Sequence, residues 1–284
     1  MWDSFVNYAN YLWYEISHPQ WGNYFYGLLI LSVLVYSLEL IAPWREKQNA
    51  IRKDFWLDLF YVVFNFFLFN LLVTEPVSAV ISSGVSKIQG FLGLESFVMI
   101  SIGNIHPWLQ MLILFLYVDF IQWNLHRLLH RFDWLWNFHK VHHSIKEMGF
   151  AGHLRYHWFE NVYYKSLQYI PLALIGVSVE SLFVVHMFTV LVGHLNHANL
   201  GWGYGVFGKV FNSPKMHIWH HAKDLPNRYG VNFGLSLSVW DYLFKTAYIP
   251  KSGKDIELGF KGDEYFPEDF LGQAIYPLNK SEDE

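Results

Sequence analysis

The chain has 284 residues, enough for one large domain or two small ones. Hydrophobic residues make up 53% of it and charged residues only 15%, whereas about 25% of an ordinary soluble domain is charged. This composition indicates a membrane protein. The formal net charge of −4 argues against a nucleic-acid partner, and the lack of cysteine excludes disulfides, thiolate metal sites and a cysteine nucleophile.

Three stretches are predicted to span a membrane as helices, because each approaches the roughly 20 mostly apolar residues that a crossing needs. They are Tyr24–Pro43, Leu59–Thr74 and Trp108–Leu125. Residues 1–23 lack a basic start and contain Asp3 and Glu15, so we predict no cleavable signal peptide there. The segment Phe91–Ile102 is apolar but short, which favours an interfacial piece over a span.

A fourth apolar stretch, Tyr163–Leu195, is too long for one span and is interrupted around residues 176–180. We interpret it as two helices of about 15 residues, each roughly 22 Å long at 1.5 Å per residue. That length is marginal for a hydrocarbon core of about 30 Å. The pattern therefore predicts a shallow or re-entrant membrane hairpin at about residues 163–195.

Lysine and arginine residues are distributed unevenly over this topology. Nineteen of the 20 fall on one side, and only Lys87 falls on the other. The positive-inside rule makes the basic side cytoplasmic. We therefore expect an extracytoplasmic segment 1–23, transmembrane helices in 24–125, a histidine-rich region 126–250 that includes the hairpin and otherwise lies on the cytoplasmic side, and a soluble tail 251–284. A bacterial inner membrane or the endoplasmic reticulum would suit this arrangement.

Three short histidine clusters follow these apolar stretches, and all lie on the predicted cytoplasmic side. Imidazole suits iron, copper, zinc and nickel, and one zinc or non-haem iron ion uses about two to four protein ligands. Eight clustered histidines are too many for one ion, so the pattern predicts a two-metal site. The clusters are His126-x-x-x-His130, His139-x-x-His142-His143 and His217-x-x-His220-His221.

Helical spacing lets each cluster present its imidazoles on one face, because residues three and four apart are neighbours on a helix. Residues 212–214, Asn-Ser-Pro, precede the third cluster and resemble a helix start with proline near its first position. His197, where the hairpin leaves the membrane, is predicted as a ninth ligand, and His194 is a further candidate. Asp119 lies two turns before His126 on the same face, where it either supports a metal-bound histidine or makes a polar contact between helices.

The remaining histidines carry weaker signals. His153 and His157 are either supporting or substrate-gating groups, or they make interfacial hydrogen bonds. His18, His106 and His186 are predicted to be structural. The chain has no HExxH, GxSxG or P-loop motif and no GxGxxG after a strand, so we predict no nicotinamide or flavin site and no catalytic residues beyond the metal ligands.

These motifs resemble the fatty acid hydroxylase/sterol desaturase superfamily of membrane di-iron oxidases, over roughly Asp119 to Thr246. The departures from the family pattern are Trp123, Trp158, Phe233 and Lys245, and they leave the histidines intact. The matching elements are Asp119-x6-His126-Arg127-x2-His130, Trp136-x2-His139-x2-His142-His143-Ser144, Arg155-x-His157-x2-Glu160, His197-Ala198-Asn199, Ser213-Pro214-x2-His217-x2-His220-His221, Asn232-Phe233-Gly234 and Trp240-Asp241-x2-Phe244-x-Thr246.

The resemblance implies an all-α, multi-pass membrane helix bundle with a cytoplasmic helical cap that holds the dimetal site. It implies two iron ions, which zinc can replace in a recombinant preparation, with O2 as co-substrate. The substrate would be a fatty acyl, sterol or related alkyl lipid, hydroxylated with electrons from a cytochrome b5-like, ferredoxin-like or reduced pterin donor. The side chains expected to support the ligands are Asp119, His157, Glu160, Asn199, Asn232 and Asp241.

Several alternatives remain open at this stage. A lipid or sterol desaturase and an ether-lipid-cleaving monooxygenase would share the same motifs. A non-catalytic metal-binding membrane protein or transporter would need polar residues across the membrane depth, and only Glu39, Asn65, Asn70 and Asp119 are available. A zinc hydrolase would need an adjacent catalytic glutamate, which the clusters lack.

Overall fold

A computed structural model describes residues 2–74, 105–173 and 177–278, together with Lys87, Gly90, Phe91 and Gly93. The predicted interfacial piece Phe91–Ile102 lies almost wholly outside the described residues. Among the described residues there is no β-strand, only two isolated bridges, which confirms the all-α prediction. The helices are α1 (Trp2–Ser17), α2 (Tyr24–Ile41), α3 (Phe55–Val63), α4 (Pro107–Arg131), α5 (Asp133–His143), α6 (Trp158–Ala173), α7 (Val179–His197), α8 (Pro214–His220), α9 (Val239–Leu243) and α10 (Phe270–Ile275).

Three of these helices are long and apolar enough to cross a membrane. They cover Tyr24–Ile41, Phe55–Val73 and Pro107–Arg131 and agree with the three predicted spans. The middle one is α3 continued by two π-helical turns, Phe64–Leu68 and Asn70–Thr74. A π turn widens the helix locally and often marks a functional position. Here Asn65 lies in the first π turn and donates hydrogen bonds to the carbonyls of Leu154 and Tyr156, which are at the edge of the site.

The predicted hairpin consists of α6 and α7, of 16 and 19 residues. Helix α7 packs against α2, α4 and α8, while α6 packs mainly against α4 and α5. The two helices therefore do not form a closed pair, and the space between them is a cavity. The Ser178 hydroxyl caps α7 by accepting from the backbone N–H of Ser181, which explains why the helix begins directly after the interruption.

The ends of the helices that carry the histidines are tied together by buried polar contacts. The Glu39 carboxylate, near the end of α2, accepts hydrogen bonds from the backbone N–H groups of Phe150 and Asn199. The Asn199 carbonyl accepts from the N–H of Trp44, just beyond α2. These bonds hold the connection after α2, a 3₁₀ turn at Phe150–Leu154 and the end of α7 at one end of the bundle.

Residues 251–278, predicted as part of a soluble tail, pack on this same end. Phe260 and Phe266 form a cluster with Tyr61 of α3 and Val141 of α5. The Tyr61 hydroxyl also donates to the Gln273 side chain of α10. The segment therefore covers this end of the bundle and packs against both α3 and α5.

Candidate metal centre

Helices α4 and α5 bring the first five clustered histidines together. Helix α4 ends with His126 and His130 one turn apart, and α5 begins almost immediately, at Asp133. All five imidazoles on these two helices are buried, as the helical spacing predicts for a shared inward face.

Helices α7 and α8 supply the other four. His197 is the last residue of α7, and the third cluster lies on α8 with His221 as its C-cap. Helix α8 begins as the sequence predicts: the Ser213 side chain caps it by accepting from the N–H of Met216, and Pro214 occupies the first turn.

The nine histidines divide into two groups of possible ligands. Within each group the nearest ligand atoms all lie within 4.8 Å of one another, which is close enough to surround one ion. The five-histidine group is His126, His130, His139, His143 and His220, and the four-histidine group is His142, His197, His217 and His221. His142 and His143 are adjacent on α5, yet they belong to different groups, as their angular offset of about 100° predicts.

Backbone and carboxylate acceptors fix the orientation of five of these rings. The Nδ1 atoms of His126, His142, His197 and His220 lie 2.8–3.0 Å from the carbonyls of Phe233, Arg155, Gly193 and Val231, respectively. The His139 Nδ1 lies 2.8 Å from the Glu160 carboxylate. Carbonyls and carboxylates only accept, so each Nδ1 must donate its hydrogen, and each Nε2 then presents a lone pair.

The Nε2 atoms point at one another in a way that calls for a cation. In the five-histidine group, the Nε2 atoms of His126 and His139 are 3.0 Å apart, although neither carries a proton in this arrangement. In the four-histidine group, those of His142 and His197 are 3.2 Å apart with the same conflict. Two facing lone pairs repel, and a bound metal ion removes that repulsion. The donor set therefore fits one metal ion in each group.

Burial also keeps the imidazoles in the form that binds metal. Removal from water lowers the pKa of His142 to about 3, so this ring is neutral at pH 7. Burial likewise lowers the pKa of five further candidate ligands well below the usual range. A neutral ring is required for ligation, so no proton has to be displaced at neutral pH. The further histidines concerned are His139, His143, His217, His220 and His221.

Glu160 is the carboxylate that supports a candidate ligand directly. It is fully enclosed at the start of α6, accepts from His139 Nδ1, and also accepts from the backbone N–H of His157. Outer hydrogen-bond partners of this kind orient a ligand and are typically worth 10–100-fold in metal affinity.

We therefore expect Glu160→Ala to weaken metal binding 10–100-fold, with a smaller effect for Glu160→Gln, because the amide oxygen can still accept from His139. Metal titration of purified apoprotein measures the effect. Glu180→Ala, at an exposed position on α7, is the control and should leave the affinity unchanged. Equal affinities for Glu160→Ala and the control would contradict this role.

Two aspartates hold the loop that supplies two of the four backbone acceptors, Val231 and Phe233. Asp241 accepts from the backbone N–H groups of Phe233 and Gly234 and from the Trp123 indole. Burial raises the pKa of Asp241, and these donors oppose the rise by stabilising the carboxylate. The loop around Phe233 therefore keeps its carbonyl directed at His126.

Asp119 contacts this loop and not a histidine. It accepts from the backbone N–H groups of Ser236 and Leu237 and from the Trp240 indole. The sequence left two roles open for Asp119, support of a metal-bound histidine or a polar contact between helices. In the structure Asp119 makes a polar contact between two elements.

The two predicted asparagines also act on the backbone. Asn232 has a φ of 55°, and its amide donates to the carbonyls of Met216 and Tyr248, so it pins the end of the Val231 segment to α8. Asn199 joins the end of α7 to the connection after α2, with its side-chain oxygen accepting from the N–H of Arg45. Both stabilise the backbone that carries candidate ligands.

The structure places the remaining histidines outside the two groups. The ring nitrogens of His194 face His153 and Ser32, at 3.1 and 3.2 Å. His157 donates to the Ala274 carbonyl and accepts from the N–H of Phe159. His153 packs against Gly193, where an added Cβ would lie 2.2 Å from its ring.

Sequence reasoning missed a buried charge network beneath the four-histidine group. The Arg155 guanidinium pairs with Asp54 at 2.9 Å and Asp58 at 3.2 Å, and Asp58 also pairs with Arg52. The Arg155 carbonyl accepts from His142, so the network fixes a candidate ligand through the backbone. Asp58 stands one residue before the predicted span, and a charge at that border was the available signal.

An apolar cavity of about 330 Å³ borders the candidate centre. Its lining includes His126, His139, His142, His197 and His217, which come from both groups. Its walls come from α4, α6 and α7 and include Leu114, Val118, Leu182, Val185 and Val190. The volume is within the usual range for a small-molecule site, and the lining suits an alkyl chain.

The fold and the site define a helical membrane protein with a buried polyhistidine centre that opens onto an apolar cavity. Residues 111–246 match the fatty acid hydroxylase family, and this range contains all nine clustered histidines. The chain belongs to the fatty acid hydroxylase superfamily.

Individual relatives agree with this assignment. The chain is 30% identical to an ornithine lipid hydroxylase, OlsE, of Rhizobium tropici over 155 residues, which are 55% of the chain and 46% of that protein. It is 30% identical to an alkylglycerol monooxygenase of Xenopus tropicalis over 233 residues, 81% of the chain and 47% of that protein. The human alkylglycerol monooxygenase is 31% identical over 135 residues, 46% of the chain and 29% of that protein. The chain thus spans half or less of these relatives, and no solved structure matches it.

Proposed function

We propose that this protein is a membrane di-iron monooxygenase that hydroxylates a lipid, using O2 and an external electron donor. The observation that carries the proposal is the apolar cavity, whose lining includes histidines of both candidate ligand groups. A site of this kind suits an alkyl C–H bond, which is inert and offers no polar handle. The relatives' names, a lipid hydroxylase and alkylglycerol monooxygenases, support the same reaction class.

We propose two iron ions, one held by each histidine group. Zinc, iron and copper all accept imidazole ligands, but zinc has no redox chemistry and so does not suit an oxygenase. When bound, the ions would supply O2 activation and C–H oxidation. The proposed ligands are the nine histidines of the two groups, without His194, whose ring nitrogens face Ser32 and His153.

The protein's own residues would orient the ligands and exclude water. Overall, hydroxylation converts R–H, O2, two electrons and two protons into R–OH and water. Glu160 and the four backbone carbonyls hold five rings in one tautomer, so the site is organised before substrate enters. Leucine and valine side chains of α4 and α7 keep the alkyl chain in a dry environment.

We further propose the topology that the basic residues predict, with the N-terminus outside and the centre in the cytoplasm. Hydrogen bonds join the ends of α2 and α7 to the turn at Phe150. They support a location of all nine histidines at one end of the bundle. Electrons would then come from a cytoplasmic donor, which the reaction requires because O2 takes up four electrons and the C–H bond that is oxidised supplies only two.

Lipid analysis of cells with and without the full chain tests the proposal. A product that gains one oxygen supports hydroxylation. Loss of two hydrogens would instead indicate a desaturase, and loss of an alkyl ether would indicate ether cleavage. An unchanged lipid profile, from protein shown to carry two irons, would overturn the enzyme assignment.

A further inference from the structure

Seven apolar side chains are exposed on the surface at the end of the bundle that carries the histidines. They lie in two stretches, one at the 3₁₀ turn Gly205–Lys209 and the residues after it, and the other at α9 and the residue after it. We call them the apolar patch: Val206, Phe207, Val210, Phe211, Tyr242, Leu243 and Phe244. An exposed patch of this kind marks contact with a partner, a ligand or a membrane.

Hydrogen bonds join the two stretches into one surface. The backbone N–H groups of Ser238 and Val239, at the start of α9, donate to the Val210 carbonyl at 2.9 and 3.3 Å. The Ser238 hydroxyl also donates to the Gly208 carbonyl at 2.8 Å. The two stretches are therefore held side by side.

One edge of the apolar patch packs against the membrane span α4. The ring centroids of Phe244 and Trp123 are 4.7 Å apart. Those of Trp240 and Phe120 are 4.9 Å apart. A helix that starts at one border of a hydrocarbon core of about 30 Å reaches the other border after about 20 residues. For α4, which begins at Pro107, that border falls about one turn after Trp123, so α9 lies at the depth of the membrane border.

The other edge of the patch adjoins the predicted membrane hairpin. A cavity of about 420 Å³ is lined there by Val192 of α7 and by Tyr204, Phe207 and Phe211. Val192 lies roughly 20 Å along the helix axis from the start of α7 at Val179. The patch therefore extends from the end of α4 to the end of α7, and it is continuous with helices that are expected to face lipid.

The charged residues around the patch suit a lipid surface. Lys209 and Lys245 are exposed, one in each stretch. The only acidic residue in the sequence of 202–211 and 237–246 is Asp241, which is buried. Lysine with aromatic and leucine side chains is typical of segments that lie in a membrane interface, where the lysine ammonium reaches the headgroups. The patch thus has the composition of an interfacial segment.

We propose that the apolar patch is embedded in the lipid leaflet that surrounds the ends of α4 and α7, with Lys209 and Lys245 at the level of the headgroups. Interfacial segments bury their apolar side about 5–10 Å into the boundary between headgroups and acyl chains. Residues 126–250 then contact the membrane outside the hairpin as well. Asp241 of α9 accepts from the backbone N–H groups of Phe233 and Gly234, so the helix that contacts lipid also holds the loop beside the metal centre.

Site-directed labelling of the full chain tests this contact. The chain has no cysteine, so a single introduced cysteine can carry a fluorophore without other changes. Phe207→Cys and Leu243→Cys report on the patch, where both side chains are 65% exposed. Ile30→Cys, on the membrane span α2, is the control for lipid, and Asp224→Cys, at an exposed position, is the control for water. Each labelled protein is placed in vesicles of phosphatidylcholine and phosphatidylglycerol, and quenching is measured with iodide and with phosphatidylcholine that carries a nitroxide on its acyl chain.

We expect both patch labels to be quenched by the nitroxide lipid and to lose quenching by iodide, as at Ile30, whereas Asp224 shows the reverse. Iodide quenching at both patch positions equal to that at Asp224 would overturn the proposal. Shielding from both quenchers, or energy transfer between labelled copies, would also overturn it, because a protein surface would then cover the patch. If Phe207→Cys does not fold, Val206→Cys replaces it, since Val206 is 81% exposed. The measurement needs no turnover, so its outcome is independent of the proposed reaction.

Discussion

Replacing His142 with alanine is expected to reduce metal loading from two ions to one per chain and to abolish lipid turnover. His142 belongs to the four-histidine group, so its loss leaves three imidazoles there. His220 belongs to the five-histidine group, and His220→Ala leaves four, enough for a common metal geometry. We therefore expect His220→Ala to retain more metal than His142→Ala, while turnover falls below detection in both because the proposed reaction needs both ions.

Elemental analysis of purified protein, together with product formation from O2, measures both effects. His18→Ala is the matched control, because His18 is an exposed histidine on the connection after α1. It should load two ions and retain full turnover. O2-dependent turnover in both ligand variants would refute the assignment of these histidines to the centre, and equal loading in the two variants would refute the division into groups of four and five.

The clustered histidines were predictable from the sequence because their spacing is local. Residues three or four apart on a helix are neighbours on its surface, so His142 and His143 each had to lie beside His139 once α5 formed. The Asn-Ser-Pro start of α8 and the three membrane spans follow from equally local signals, namely a cap and an apolar run.

Apart from the separation of His142 from His143, the membership of the two groups was not predictable, because it depends on contacts far apart in sequence. His220 joins histidines of α4 and α5, whereas His221, the next residue, joins His142 and His197. The backbone acceptors were hidden for the same reason: any residue has a carbonyl, so nothing in the sequence marks Phe233 or Val231 as partners of His126 and His220. Glu160 belongs to a motif that is visible in the sequence, but only the fold shows that its carboxylate accepts a hydrogen bond from His139 Nδ1.

The sequence allows two roles for Asp119, and the contacts made in the fold decide between them. A carboxylate two turns before His126 can reach a ligand only if its side chain turns along the helix. Instead, the Asp119 carboxylate accepts hydrogen bonds from the backbone N–H groups of Ser236 and Leu237 and from the Trp240 indole. The carboxylate still serves the centre, since it holds the loop whose Phe233 carbonyl orients His126.

The second large effect is expected from Asp58→Ala, which lies in α3 and contacts no candidate ligand. Asp58 is fully buried and pairs with both Arg52 and Arg155, which are also buried. Removing one partner of a buried ion pair leaves uncompensated charge and typically costs about 3–5 kcal/mol. Because the Arg155 carbonyl accepts from His142, we also expect 10–100-fold weaker metal binding in the four-histidine group.

Thermal unfolding of the apoprotein in detergent separates the two consequences, since it measures the loss of stability without metal, and titration of metal then measures affinity. Asp133→Ala is the matched control, because Asp133 pairs with Arg228 at the surface, where their side chains are 82% and 65% exposed. Exposed pairs of this kind are worth about 0–1 kcal/mol, so the control should unfold near the wild-type temperature. Asp58→Asn keeps the shape but not the charge, and it should fall between the two. An Asp58→Ala protein as stable as the control, with unchanged metal affinity, would show that the charge network does not support the centre.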